Sequence, residues 1–531
     1  MSVNTLHERL SAFPDSRLTF CGRDGRTTIK TYAQLRDDVI RLVAELQDCG
    51  VASRDVVGVL GENSYEWVVA DLALLALDCV SVAFPVDIQH ERPIASLLER
   101  YELSALLLTQ GPVPGAPEPA IATLDCRPLS LAKRHRTTSQ PALTSDIFTV
   151  AFSSGTSGRR KGLSMTKGGI ANAVITAGMA WDVGVRDNVL LVMPFTNFQQ
   201  RYLLYMAIWF GSDVSVIAPE RMFHRMRDVA PTIILGPPSF FEVLEHRVGS
   251  ESVWRKLPLH VAALLHALFS SGVGWGVRRA LCRRWAGLYG SRVRLMCVGS
   301  APTRAATVTL FHKMGLPLFE VYGLTECGWI ALNRPGDCRI GSVGRPVNGV
   351  QIEVADDGEI LVRSASPQST GYIFEGTDEQ DRVFLPHLTI ATGDLGRRDE
   401  AGFLHLTGRK KNVIVTRSGL KINPEDIEAE IEDGCRVARA IVMGHPSLAT
   451  LACIVWLDDW RSADERQAIG TFVDAMNGRR AASHHVGDIT FRPAGELSVE
   501  SGLLTRNYKV NRTAVMATLS KDRESASWAA S

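Results

Sequence analysis

Between Tyr32 and Gly50 apolar residues recur at helical spacing (Leu35, Val39, Leu42, Val43 and Leu46), and Gly50 marks where that helix stops. Val56–Leu60 then reads as a short strand, and the alternation continues through helix 65–77, strand 80–84, helix 92–100 and strand 104–108. Strands that alternate with helices imply a parallel sheet with helices on its faces. Residues 111–146 are rich in Pro, Thr and Ser and predict a long surface excursion. A second alternating run covers about 170–325, with strands at 189–193, 213–217, 232–235 and 293–298 and helices at 200–210 and 239–246. Over 340–406 short strands and turn signals at 356–358 and 400–402 predict a small β-rich subdomain. No internal repeat is visible, and the polar, small-residue tail from about Ser520 is expected to be disordered.

At 531 residues the chain exceeds what one hydrophobic core supports, so two or more domains are expected. A hydrophobic content of 45% and a charged content of 22% are those of a globular protein, and a net charge of +1 argues against general nucleic-acid binding. Ten cysteines stand singly, without C-x-x-C or Cys/His ligand spacing, which fits a reducing cytoplasm and argues against structural zinc. The N-terminus lacks a basic-then-apolar signal pattern. The most apolar stretch, 67–85, is interrupted by Asp71 and Asp78 and reads as a buried helix and strand, so no transmembrane segment is expected. Residues 257–285 combine apolar runs with Arg278, Arg279, Arg283 and Arg284. A solvated arginine face is favoured there over peripheral membrane contact.

Residues 152–162 read FSSGTSGRRKG. After a strand-like run, Ser153, Ser154, Gly155, Thr156, Ser157 and Gly158 follow without one large side chain. Glycines free the backbone to turn its N–H groups towards an anion, hydroxyls add donors, and Arg159, Arg160 and Lys161 add charge. Polyphosphate binding is the sharp reading, and a mobile Ser/Gly loop is the bland one. The Walker pattern does not fit, because Lys161 precedes Gly162.

Four further clusters carry chemistry. Tyr322, Gly323, Leu324, Thr325 and Glu326 follow a strand-like run, where open α/β sheets bind ligands; Tyr322 could stack on a base, Thr325 donate to a phosphate and Glu326 hold Mg²⁺. At 392–395 the sequence TGDL places Asp394 at a turn, where a carboxylate can accept from two ribose hydroxyls. Around 408–414 a basic stretch with little apolar content suggests a domain boundary near 409–412. Beyond it Asn423 and Pro424 open a helix with Ile427 and Ile431 on one face. The fourth cluster, 504–512, holds Lys509, which alone reads as a surface charge.

In this order and spacing the clusters resemble the motifs of the adenylate-forming superfamily, which includes acyl- and aryl-CoA synthetases, and the resemblance spans nearly the whole chain. The glycine loop resembles [ST]-[SG]-G-[ST]-T-G-x-P-K-G; YGLTE resembles Y-G-x-T-E; and IGSVGRP at 340–346 resembles G-S-V-G-x-P. TGDL resembles T-G-D, Arg409 matches the arginine of G-R-x-x-[DKE], and 504–512 resembles L-T-x-N-G-K-x-x-R. The implied fold is α/β, with a large N-terminal domain (1–410) of two doubly wound α/β subdomains and a small β subdomain. A small mobile α+β domain (411–519) and a tail (520–531) follow.

The resemblance also implies a reaction. ATP and a carboxylic acid give an acyl-AMP and pyrophosphate, and the thiol of CoA, or the phosphopantetheine of a carrier protein acting in trans, then displaces AMP. Residues 153–161 would hold the β- and γ-phosphates, Glu326 would bind Mg²⁺ and Thr325 would touch the α-phosphate. Tyr322 with Gly299, Ser300, Ala301 and Pro302 would flank adenine, and Asp394 and Arg409 would fix ribose. Lys509 would bridge the carboxylate and the α-phosphate. Lys411 sits at the family's hinge, and Gly419 would face the thiol substrate after rotation.

Arg160, Ser157 and Tyr508 depart from the pattern without removing a catalytic charge. Asn197, in PFTNFQQ, stands near a position often held by His and is the acyl-pocket candidate; no aspartate stands there to receive an α-ammonium. A fatty or related acid is favoured, with a carrier-loading ligase and a non-catalytic nucleotide or acyl sensor as alternatives.

Overall fold

The computed structural model describes residues 2–86, 88, 93–109, 120–124, 127–133, 143–154, 160–249, 251–268, 274–374, 379–415, 421–435, 437–444, 450–457, 463–505 and 510–518. Two large sheets dominate. In the first, Ile147–Ser154, Val80–Phe84, Val56–Leu60 and Ala105–Leu108 run parallel, in that spatial order. In the second, Arg17–Cys21, Asp213–Ile217, Asn188–Leu191, Ile233–Gly236, Leu295–Val298 and Leu318–Leu324 run parallel. Most strands of each sheet come from one alternating run of the sequence, but Arg17–Cys21, which precedes both runs, joins the second sheet beside Asp213–Ile217.

The helices Tyr65–Ala76 and Phe198–Phe210 are buried along almost their whole length and share one apolar cluster with both sheets. A helix covered on every side has no use for a polar face, which is why neither shows a clean amphipathic stripe. Surface helices are patterned differently. Tyr32–Asp48 buries Leu35, Val39, Leu42 and Leu46, and a reciprocal capping box between Thr31 and Gln34 fixes its start.

Three expectations need correction. The excursion expected over 111–146 contains two strands, Ala120–Leu124 and Arg127–Lys133, which pair antiparallel and extend the first sheet beside Ala105–Leu108. The β-rich stretch 340–406 does build a small five-stranded antiparallel sheet, but its Ser369–Ile373 strand leaves it and pairs with Arg160–Thr166 in the first large sheet. Of the four arginines expected to form a solvated face, Arg283 and Arg284 are exposed, whereas Arg278 is buried and Arg279 is half-buried.

Past Arg409 the chain makes one tight turn, Lys410–Asn412, and enters elements with their own core. There helix Pro424–Cys435 buries Ile427 and Ile431 against a three-stranded sheet that includes Arg439–Gly444 and Leu451–Leu457. Among the described residues no helix is long and apolar enough to cross a membrane.

Candidate active site

The glycine-rich loop joins two antiparallel strands. Backbone pairing places Ser153 opposite Lys161 and Ser154 opposite Arg160. Gly155, Thr156, Ser157, Gly158 and Arg159 lie outside the described residues, as do Gly419 and Lys509. Lys161 is half-buried, ion-pairs with Glu379 and lies 5.5 Å above the Tyr372 ring. Tyr372 belongs to the strand that crossed over from the β-rich stretch, and its hydroxyl donates to Glu326 at 3.4 Å. That crossing strand therefore joins the loop's lysine to the YGLTE carboxylate.

Glu326 sits with Thr325 at the tip of a hairpin formed by Leu318–Leu324 and Gly328–Leu332. The tip is held from outside: Gln368 donates to the Thr325 carbonyl at 3.3 Å, and the Ser369 amide donates to the Glu326 carbonyl at 3.1 Å. Gly323 lies at a bulge where a Cβ would come within 2.5 Å of the Gly328 carbonyl oxygen, so only glycine allows the strands this close. Burial raises the Glu326 pKa, and the Tyr372 hydroxyl and the charges of Arg409 and Lys161 partly offset that rise. These two cations are thus near enough to act on this carboxylate.

Four residues before Glu326, on the first strand of the hairpin, the buried Tyr322 donates to Asp394 Oδ2 at 2.7 Å. Arg409 Nε reaches Asp394 Oδ1 at 2.6 Å, across a register that sets the two residues opposite each other. Burial, then the Asp394 charge, pushes the Tyr322 phenol well up, so it remains a donor. The carboxylate is therefore held at both oxygens, each with a lone-pair direction left for a ligand hydroxyl. Glu359 steadies the same turn by accepting from the Gly393 amide at 2.9 Å and from Lys410 at 2.5 Å.

Gly299 lies against Val321, where a Cβ would stand 3.0 Å from the Val321 carbonyl oxygen. Next to it Ser300 adopts a left-handed backbone at φ +70°, a strained conformation for a non-glycine residue at the C-terminal end of a parallel strand. Its hydroxyl donates to Gln199 at 3.2 Å. Ala301 is half-buried and Pro302 exposed beside it. Asn197 caps helix Phe198–Phe210, accepting from the Gln199 amide at 3.2 Å. Lys411 is exposed within the Lys410–Asn412 turn.

The fold thus connects Lys161, Glu326, Tyr322, Asp394 and Arg409 through Tyr372 and the hairpin, with Gly299 and Ser300 alongside. Sequence reasoning missed Tyr372, Gln368, Glu359, Glu379 and Gln199. Only Gln199, in PFTNFQQ, stands in a segment that carries a sequence-predicted site residue, and each acts through a partner distant in sequence or through a loop contact.

The profile of the family described as "AMP-binding enzyme" matches residues 6–374. The long-chain-fatty-acid–CoA ligase FadD15 of Mycobacterium bovis is 26% identical over 94% of this chain and 92% of its own length. The 2-succinylbenzoate–CoA ligase of Bacillus pumilus is 24% identical over 78% of this chain and 80% of its own. Among solved structures, the anthranilate CoA ligase AuaEII in complex with anthranoyl-AMP superposes with a TM-score of 0.73 at 19% identity, covering 98% of this chain and 97% of that one. ATP-bound MatB from Rhodopseudomonas palustris gives 0.72 at 21%, covering 98% and 99%.

Proposed function

Because the chain belongs to the AMP-binding enzyme family, we propose that it is an AMP-forming acid–thiol ligase. It activates a carboxylic acid with ATP to an acyl-AMP and pyrophosphate, then transfers the acyl group to the thiol of CoA. The observation that carries this reading is the joined set of Lys161, Glu326, Asp394 and Arg409, which offers cation, carboxylate and paired acceptors to one nucleotide. A fatty or related acyl acid is the favoured substrate, supported by the relative that aligns along almost the whole chain.

The chemical problem is that a carboxylate attacks a polyanion, so the site must gather positive charge around the phosphates. Lys161 supplies such charge once a phosphate displaces Glu379 from it. Asp394, braced by Tyr322 and Arg409, accepts the ribose hydroxyls and fixes the α-phosphate relative to the hairpin tip. Thr325 at that tip donates to the α-phosphate. Gly299, Ser300, Ala301 and Pro302 form the edge against which adenine rests, next to Tyr322.

Among the described residues no group of three or more His, Cys, Asp or Glu could hold a metal. A half-buried carboxylate such as Glu326 fits Mg²⁺, which commonly takes one or two carboxylates and completes its shell with phosphate oxygens and water. Bound there, Mg²⁺ would neutralise charge on the phosphates. Lys509 bridges acid and α-phosphate, and Lys411 serves as the hinge about which the segment 411–519 turns to bring Gly419 to the thiol.

Pyrophosphate release from ATP, followed over a panel of fatty and aryl acids, tests the reading. Release with at least one acid is expected, and Lys509→Ala should slow it on the order of 10²-fold or more while sparing thiol transfer from preformed acyl-AMP. ATP binding without release for any acid would instead identify a sensor. Undiminished release by the variant would remove Lys509 from the mechanism. Product formation with carrier protein but not with free CoA would identify the carrier-loading ligase.

A further inference from the structure

The helix Leu257–Leu268 turns its most apolar stripe outward. Leu257, Val261, Leu264 and Leu268 are 57%, 43%, 61% and 67% exposed. At 3.6 residues per turn these four positions fall within an arc of about 60°. The opposite side of the helix carries the buried Ala262 and the half-buried Leu259, both packed on the core beneath. Trp254, just upstream, is 86% exposed, and Val277 and Leu281 are exposed one turn apart on the neighbouring helix Trp275–Leu281. Seven large apolar side chains on adjoining elements face away from the molecule, well beyond the single exposed residues normal on a protein surface.

The platform beneath them is rigid. Buried Arg278 contacts His266 Nδ1 on the first helix and stacks 5.3 Å from the Trp275 ring. Arg279 donates to the backbone carbonyls of Gly290, Ser291 and Val293. The arginines nearest the core thus tie the helices down, and leucines take the outer face.

Charge indicates what covers that face. Of the eight lysines and arginines in residues 250–294, Arg278 and Arg279 serve the platform and Arg294 ion-pairs with Asp187, while Arg255, Lys256, Arg283 and Arg284 accompany the one carboxylate of that stretch, Glu251. Arg255 at 3.2 Å and Arg284 at 2.6 Å share that one carboxylate, and Arg283 is exposed beside them. A second copy docked across a two-fold axis would set one basic rim against another. An apolar stripe with an exposed tryptophan and a basic border is instead complementary to an anionic lipid surface, where acyl chains take the leucines and headgroups take the arginines.

We propose that the surface formed by Trp254, the outer stripe of Leu257–Leu268 and the outer face of Trp275–Leu281 docks this protein onto anionic lipid bilayers as a peripheral contact. The proposal stands apart from the identity of the acid. Sedimentation of the full chain with vesicles tests it, comparing mixed phosphatidylglycerol–phosphatidylcholine with phosphatidylcholine alone. Binding to the mixed vesicles should be stronger by about tenfold or more and should weaken as salt rises. The double variant Leu264→Asp/Leu268→Asp, at two exposed positions remote from the candidate active site, should lose binding by a similar factor while keeping its pyrophosphate release with a water-soluble acid. Failure of the unaltered chain to bind anionic vesicles would overturn the proposal, as would equal binding by the variant. So would a dimer without lipid affinity that the variant converts to monomer, which would identify a second copy as the occupant.

Discussion

At the scale of single residues, Tyr322 illustrates how burial decides what a motif residue does. Its ring read from the sequence as a face for a base, yet its hydroxyl bonds the turn carboxylate 72 positions away. Asp394 was legible as a candidate because a turn carboxylate is visible in a sequence, and Arg409 only through its match to the arginine of G-R-x-x-[DKE], the basic stretch around it reading by itself as a domain boundary. Their mutual pairing was not, because it depends on the register between two strands.

Two positions before Tyr322, Glu320 is 7% exposed and accepts from the Gly341 amide at 2.9 Å. Burial pushes its carboxyl up from 4.5 to about 7. Between these values the folded protein holds a proton that the unfolded chain has released, so stability is fully present below pH 4.5 and falls as pH rises to 7. One group shifted this far corresponds to about 3 kcal/mol over that window. Glu320→Gln keeps an acceptor for Gly341 and removes the titration. Urea unfolding should therefore find the variant more stable than the parent at pH 8, by up to about 3 kcal/mol, with little difference at pH 4.5.

Among elements, the parallel strands were the most legible, since short apolar runs alternating with helices leave few other arrangements. The strands Ala120–Leu124 and Arg127–Lys133 were hidden in Pro-, Thr- and Ser-rich sequence, where composition speaks for a loop and only the free edge at Ala105–Leu108 recruits them. The Ser369–Ile373 strand fell inside the stretch expected to form a separate β-rich subdomain, and that placement failed because strand pattern carries no address for the sheet a strand joins. A loop can be read from its glycines only when the structure supplies what they approach. Gly344, in the IGSVGRP segment, has φ +94°, and a Cβ there would stand 2.0 Å from the Leu332 carbonyl carbon. Its own carbonyl accepts from Leu404 at 2.9 Å, so this one residue joins the hairpin strand to the small sheet. Gly344→Ala should cost more than about 2 kcal/mol and weaken ATP binding by displacing the hairpin. Gly336→Ala, at φ +81° with nothing within 4 Å, should cost only about 1 kcal/mol. Equal losses in the two variants would show that backbone strain alone, and not the close approach to Leu332, makes Gly344 necessary.

For the molecule as a whole, the question is what keeps the two large sheets in a fixed relation, since the strands that flank the glycine-rich stretch belong to one and the hairpin to the other. Between them lies a fully buried polar network. Arg201 on helix Phe198–Phe210 pairs through two nitrogens with Asp71 on helix Tyr65–Ala76 and donates to Thr149 and Ser81 on two strands of the first sheet, each at 2.7 Å. Tyr205 donates to Asp71 at 2.6 Å. In the sequence Asp71 served only to interrupt an apolar run, because its partner lies 130 residues away. Thr149 is on the strand that continues into Ser153 and Ser154, so the network braces the strand leading into the glycine-rich stretch against the helix that packs on the second sheet. Arg201→Leu strands the Asp71 charge among apolar neighbours and should destabilise by roughly 3–5 kcal/mol. The triple variant Asp71→Leu/Arg201→Met/Tyr205→Phe removes charge and partners together, and since buried ion pairs gain little over apolar packing it should recover most of that loss in urea unfolding. If the network also positions the loop, the recovered protein should still show a raised KM for ATP, whereas a role in stability alone predicts that KM returns with the fold.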